Sequence, residues 1–312
     1  MNVQSDLSLV GTNYTPDIAL FEKLGKKAGV KPASGDSKRS LLIKVDPQRD
    51  FVNDRPLGAL AVEGAVGDMQ RLATVIEEKP DRFTTLADSM DDHVEDPDKQ
   101  WMIFYAEWWK DMATGKHPDP FTPIFYADIV KGRWVALVDP VWSVRYVDLL
   151  EKTGQLNHMI WPHHCSRNSD GQKLVPAIAE AIAFHSAARG ATPITIAKGQ
   201  NRRVEHFGIF GAQVPDPRDP STQLNVKVLD LIAGYDTIYV AGEAKSHCVL
   251  KTMQQMVGYF GNQPDVIKKI RFIMDCTSSV KSPVIDFETL AMDELRKMEK
   301  LGVSLITTDD IK

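Results

Sequence analysis

Short aliphatic runs alternate with longer amphipathic segments along almost the whole chain, and this alternation limits the possible folds more than any other feature. The runs SLLIKVD (residues 40–46), FTTLAD (83–88), TPITIAKG (192–199), TIYVAG (237–242), IRFIMDC (270–276) and VSLITT (303–308) read as buried strands. HMIWP (158–162) reads as a shorter one, ended by Pro162. Between the first two, residues 62–79 place Val66, Met69, Leu72, Ala73 and Ile76 on one face at helical spacing. Further helix patterns cover 174–190, 228–235, 247–261 and 286–302, with Gly190 and Gly261 as stops. Strands separated by crossover helices pair in parallel, so the expected fold is α/β, with three αβα layers around a mostly parallel central sheet. Ligands bind such sheets at the carboxyl ends of the strands. The ends here carry Asp46, Asp88, Lys198, residues 242–244 and Cys276.

Two segments stand outside the alternation. Residues 1–39 hold one modest helix pattern and the loop KPASGDSKRS, and are read as an N-terminal extension to a domain over 40–312. Residues 97–140 are rich in Trp, Phe, Pro and Tyr without a clean period and read as an insertion after the second strand. The aromatics between Trp101 and Phe121 argue against disorder and predict a lid or a partner surface.

The apolar share, 43%, is enough to order a core, and no run approaches the ~18–20 apolar residues of a spanning helix. A net charge of −5 argues against nucleic acid. No secretory signal pattern opens the sequence, so a cytoplasmic protein is expected. Three cysteines are too few and too scattered for a disulfide framework or a four-ligand zinc site.

Three residues invite chemistry. Cys248 follows the strand at 237–242 by a few residues, which puts its thiol on the first turn of a helix, where unpaired N–H groups lower a thiol pKa and can hold an oxyanion. An apolar filler in a buried helix fits the same position. Asp46 ends the first strand before Pro47, as a half-buried proton acceptor or as a turn cap. Lys198 stands where an apolar strand stops, beside the thiol or in solvent. Cys165 and Cys276 read as structural.

Taken together, the segments KVDPQRDF, AKGQN and AGEAKSHCV resemble the three signature segments of the isochorismatase-like cysteine hydrolases, the superfamily that contains nicotinamidases. WPHHC (161–165) resembles the nicotinamidase Trp–Pro–x–His–Cys, and the order along the chain agrees. The resemblance implies a triad of Asp46, Lys198 and Cys248, and a cis Glu243–Ala244 bond that turns the N–H groups of Ala244 and Cys248 toward a substrate carbonyl. It implies a ring pocket lined by Phe51 and Trp161, which ordinary core packing also explains. The long insertion, PSTQLN (220–225) and RRVEHFG (202–208) look like a larger bacterial-type subgroup. Glu205 and His206 fit either the pocket or the surface.

The resemblance also implies a metal site: an Asp, a His two residues later, often a further His, and the His of the Trp–Pro segment. Carried over from the strand end at Asp88, the ligands are Asp88, His93 and His164, and Met90 takes the place of the close His. A thioether is a poor ligand for zinc, iron or manganese, so weak or absent binding of a divalent metal is expected. Asp91 or Asp92 could substitute.

The function implied is hydrolysis of an amide C–N bond in a small planar substrate through a thioester. Rival readings are an isochorismatase-type or carbamoyl-type hydrolase, or a non-catalytic binding protein on the same fold. The expected partners are a small-molecule amide and further copies of the chain as a homo-oligomer, with neither nucleic acid nor membrane.

Overall fold

The computed structural model describes residues 5–53, 57–94, 101–282 and 285–312. Six strands form one sheet: β1 (Ser40–Val45), β2 (Thr85–Asp91), β5 (Ile194–Lys198), β6 (Thr237–Gly242), β7 (Ile270–Ile273) and β8 (Ser304–Ile306). Their order is β5-β2-β1-β6-β7-β8 and every pairing is parallel. Two further strands, β3 (Trp109–Asp111) and β4 (Trp134–Ala136), make a small antiparallel pair of their own.

The inner strands β1, β2 and β6 are largely buried because both faces of the sheet are covered, and β1 and β6 are mostly apolar. On β1, Leu42 faces the helices Ala65–Glu78 and Pro176–Arg189, while Leu41, Ile43 and Val45 face the layer that includes Leu250–Tyr259 and Phe287–Leu301. The helix Ile18–Lys27 packs on Pro176–Arg189, so part of the N-terminal segment adds to the first layer. Among the described residues, no helix is long and apolar enough to cross a membrane.

The chain builds outward from β1 to β2 and β5, then returns to place β6 on the other side of β1. Crossover connections therefore diverge between β1 and β6, and this opens a crevice at their carboxyl ends. Asp46 follows β1 there, and Cys248 follows β6.

Three expectations change. Residues 158–162 form no sheet strand; Met159 makes only an isolated antiparallel bridge with Pro123. Strand β2 continues to Asp91, three residues past the apolar run, because Met90 and Asp91 pair with Ala197 and Lys198 of β5. The aromatic insertion is built into the core at its start, where Met102, Ile103, Phe104, Tyr105, Trp108 and Trp109 are buried, while Phe121 and Phe125 stay exposed. Residues 97–100 of that insertion lie outside the described residues.

Candidate active site

Lys198, the last residue of β5, holds the site together. Its Nζ lies 2.9 Å from Asp46 Oδ2, 2.6 Å from Asp91 Oδ1 and 3.6 Å from Cys248 Sγ, and it donates to the His206 carbonyl at 3.1 Å. Burial works against the ammonium, but Asp46 and then Asp91 overcome it and hold its pKa well above the usual lysine range. The cation is thus permanent.

Asp46 sits at φ 44°, a left-handed conformation that Asp tolerates better than most residues. That turn aims its carboxyl under the sheet end, where Oδ1 accepts from Ser89 Oγ at 2.6 Å. Burial raises its pKa against the pull of Lys198, to about 6. A carboxylate of that basicity is ionised at neutral pH yet able to accept a proton.

Cys248 lies on a π-helical turn, Lys245–Val249, that leads into the helix Leu250–Tyr259. The Glu243–Ala244 peptide bond just before it is cis. The thiol does not have the lowered pKa expected of a helix start. Burial pushes it well above the usual cysteine range, the carboxylates Asp46 and Asp91 push it further, and Lys198 only partly compensates. The resting group is a neutral thiol hydrogen-bonded to Asp46.

The metal ligands expected from the sequence need one correction. Asp88 faces away from this cluster and pairs with Lys44 of β1, its register partner, at 3.2 Å. Alternation along the extended β2 puts Ser89 and Asp91 on the active face instead. Asp91, His93 and His164 bring ligand atoms within 4.8 Å of one another. Asp91 and His93 have the two-residue spacing that the resemblance requires, so Met90 replaces nothing. Asp92 is engaged elsewhere, by Arg167, Gln172 and Gln200.

The donor set fits a divalent ion. His93 Nδ1 is 3.0 Å from the Gly199 carbonyl and His164 Nδ1 is 2.8 Å from the Pro162 carbonyl. A carbonyl only accepts, so each Nδ1 carries the hydrogen and each Nε2 presents a lone pair. Those two Nε2 atoms face each other at 3.2 Å, with Asp91 Oδ2 at 3.8 Å from that of His93. Burial lowers both imidazoles to about 4, so they are neutral, the ligating form. Gly199 allows this approach: at φ +74°, a Cβ there would lie 2.7 Å from the His93 ring and 2.9 Å from Asp91. Phe104 and Tyr105 of the insertion pack edge-on against His93, and Phe51 against His164.

Beside Cys248 lies a tight pocket of ≈ 30 Å³. Phe51 and Trp161 both line it, with Leu60, Val62, Ala244 and Val280. Phe207, His247 and Glu205 also line it, and sequence reasoning missed or left them undecided. The segment holding Glu205 follows Lys198 closely in sequence, and that proximity was the one available signal.

No protein-family model matches the sequence, and a search of curated proteins found no match. Solved structures do match. A nicotinamidase/pyrazinamidase of Acinetobacter baumanii superposes with TM-score 0.54 at 18% identity, covering 89% of this chain and 100% of the other. The yeast nicotinamidase bound to the inhibitor nicotinaldehyde gives 0.55 at 16% identity, over 86% and 99%. The chain has the isochorismatase-like fold. At these identities the likeness establishes the fold, and the chemistry must be argued from the residues.

Proposed function

We propose that this protein is a cysteine hydrolase that cleaves the C–N bond of a small planar carboxamide through a thioester. The observation that carries this reading is the Lys198 ammonium, which lies within 3.6 Å of Cys248 Sγ while pairing with both Asp46 and Asp91. A permanent buried cation between a basic carboxylate and a thiol is costly to keep unless it is used.

In the proposed sequence, Asp46 takes the Cys248 proton as the sulfur attacks the amide carbon. Lys198 stabilises the thiolate as it forms and keeps Asp46 in line. The N–H groups of Ala244 and Cys248 receive the oxyanion. When the tetrahedral intermediate collapses, Asp46 returns the proton to the leaving nitrogen, which departs as the amine. Water, deprotonated by the same carboxylate, then attacks the thioester and releases the acid and the free thiol. Phe51 and Trp161 supply flat apolar walls for the substrate ring.

Asp91, His93 and His164 would hold a divalent ion, zinc, iron or manganese. When bound, it supplies a Lewis-acidic wall to the pocket. Asp91 links that wall to the Lys198 cluster.

The test is ammonia release from a panel of aromatic amides, nicotinamide first, with intact-mass detection of an acyl adduct on Cys248. The native protein is expected to release ammonia and Cys248→Ala none, with unchanged melting. Turnover by Cys248→Ala would refute the thioester route. Pyruvate release from isochorismate, without amide turnover, would favour the vinyl-ether reading.

A further inference from the structure

Asp50 takes no part in the proposed proton transfers, yet it is buried and spends both carboxyl oxygens on main-chain N–H groups. Oδ1 accepts from Ala59 at 3.0 Å and Oδ2 from Cys165 at 2.7 Å. The carboxyl fits closely enough that a Cβ at Gly171 would lie 2.0 Å from Oδ2. Its bond to Cys165 acts on one particular peptide. At the other edge of that peptide, the His164 carbonyl accepts from Tyr105 Oη at 3.1 Å. One residue on, the Cys165 carbonyl accepts from the N–H of His93 at 3.2 Å. Cys165 itself sits at φ 47°, a left-handed conformation that a residue with a Cβ keeps only where its surroundings enforce it. A single short stretch of main chain thus joins two imidazoles whose Nε2 atoms are 3.2 Å apart.

We propose that Asp50 and Tyr105 are positioning residues of the candidate metal site, gripping the His164–Cys165 peptide from its two edges and so fixing the separation and aim of His93 and His164. Both act on main chain rather than on the imidazoles' free nitrogens. A site whose ligands are already in place binds its ion without reorganising, and the groups that hold those ligands set the affinity. Asparagine cannot stand in for Asp50: one end of its amide is a donor and would face the N–H of Ala59 or Cys165. Phenylalanine at position 105 removes only the hydroxyl. It keeps the ring that packs edge-on against His93 and stacks on His163 at 4.1 Å. Alanine at position 171 leaves Asp50 in the sequence but drives its carboxyl out of place.

The inference rests on the reading of Asp91, His93 and His164 as metal ligands, and it is tested by binding rather than by turnover. Zinc affinity of the metal-stripped full chain is measured by competition with a chromophoric chelator. The visible spectrum of the cobalt(II) form and urea unfolding of the zinc-free protein are recorded beside it. The native chain is expected to bind one zinc. Asp50→Asn and Gly171→Ala are expected to weaken it by about 10–100-fold and Tyr105→Phe by about tenfold, with altered cobalt bands in each. Lowered unfolding midpoints with native zinc affinity and native cobalt spectra would make all three packing residues and overturn the inference. Should Asp50→Asn not fold, Gly171→Ala and Tyr105→Phe decide, and native affinity in both overturns it. A native chain that binds neither zinc nor cobalt would refute the metal reading and this inference with it. Tight native binding that no variant disturbs would refute this inference alone.

Discussion

Two lysines are buried at opposite faces of the same sheet region, and their surroundings differ in kind. Lys44 on β1 meets one carboxylate, Asp88, at 3.2 Å. Lys198 on β5 meets two carboxylates, a carbonyl and a thiol. Burial lowers the pKa of Lys44 and raises that of Asp88, each only partly offset by the partner. At Lys198 the same burial is overcome. With one carboxylate partner burial still lowers the lysine, whereas two carboxylates reverse the effect and hold it above its usual range. The first pair is a packing element of the sheet, and the second has the composition of a reaction centre.

Replacing the cations breaks this comparison most sharply. Lys198→Met is expected to lower kcat/KM by about a thousandfold or more, the scale of proton-transfer and nucleophile activation. It also leaves two carboxylates facing each other without a cation, so a destabilisation of about 3–5 kcal/mol is expected in urea unfolding. Lys44→Met with near-native kcat/KM would confirm the contrast; comparable losses in both variants would erase it.

The two aspartates of β2 come next. Asp91→Asn is expected to abolish binding of zinc or manganese to protein purified without chelator, by elemental analysis, whereas Asp88→Asn retains it. Loss in both would show that Asp88 reaches the site after all.

The pH profile sharpens the role of Asp46. This carboxylate must be ionised to accept a proton, and its pKa is raised to about 6. Activity is therefore expected to fall about tenfold per unit below pH 6 and to level off above it. Lys198, held above its usual range, adds no loss near neutrality. In Asp46→Asn the acid limb should vanish along with most of the activity. Alkylation of resting Cys248 by iodoacetamide should be slow at pH 7 and quicken with pH, because the thiol is neutral.

The smallest effect belongs to the double replacement Lys44→Met with Asp88→Leu. Exchanging a buried ion pair for apolar groups of similar volume is often neutral or stabilising by about 1–4 kcal/mol. Unfolding within that range, with turnover kept, would confirm that the pair is dispensable; a large loss would assign it a function.

The sheet was legible because its inner strands are covered on both sides, which makes Leu41 to Val45, apart from Lys44, and Ile238 to Ala241 apolar runs. The end of β2 was not, because site residues are polar. Ser89 and Asp91 continue the strand while resembling a loop, and the metal ligands were counted from Asp88 instead. Conversely, 158–162 is apolar for packing and never enters the sheet. Glu205 lies in irregular chain, and no periodicity marks a carboxyl that tertiary contacts bury. Aromatic density foretold order in the insertion, but the surface it covers, including His93, is brought together only by folding.

Lys198 is delivered by an outermost strand. Among the described residues β5 has one hydrogen-bonded neighbour, β2, and Ile194, Thr195 and Ala197 are exposed. Detaching this edge would withdraw the ammonium while the five strands from β2 to β8 stayed paired, so the protein could be inactive and almost wholly folded. Heat inactivation would then report a local opening, preceding the cooperative transition, and amide hydrogens of β5 would exchange with solvent well before those of β1.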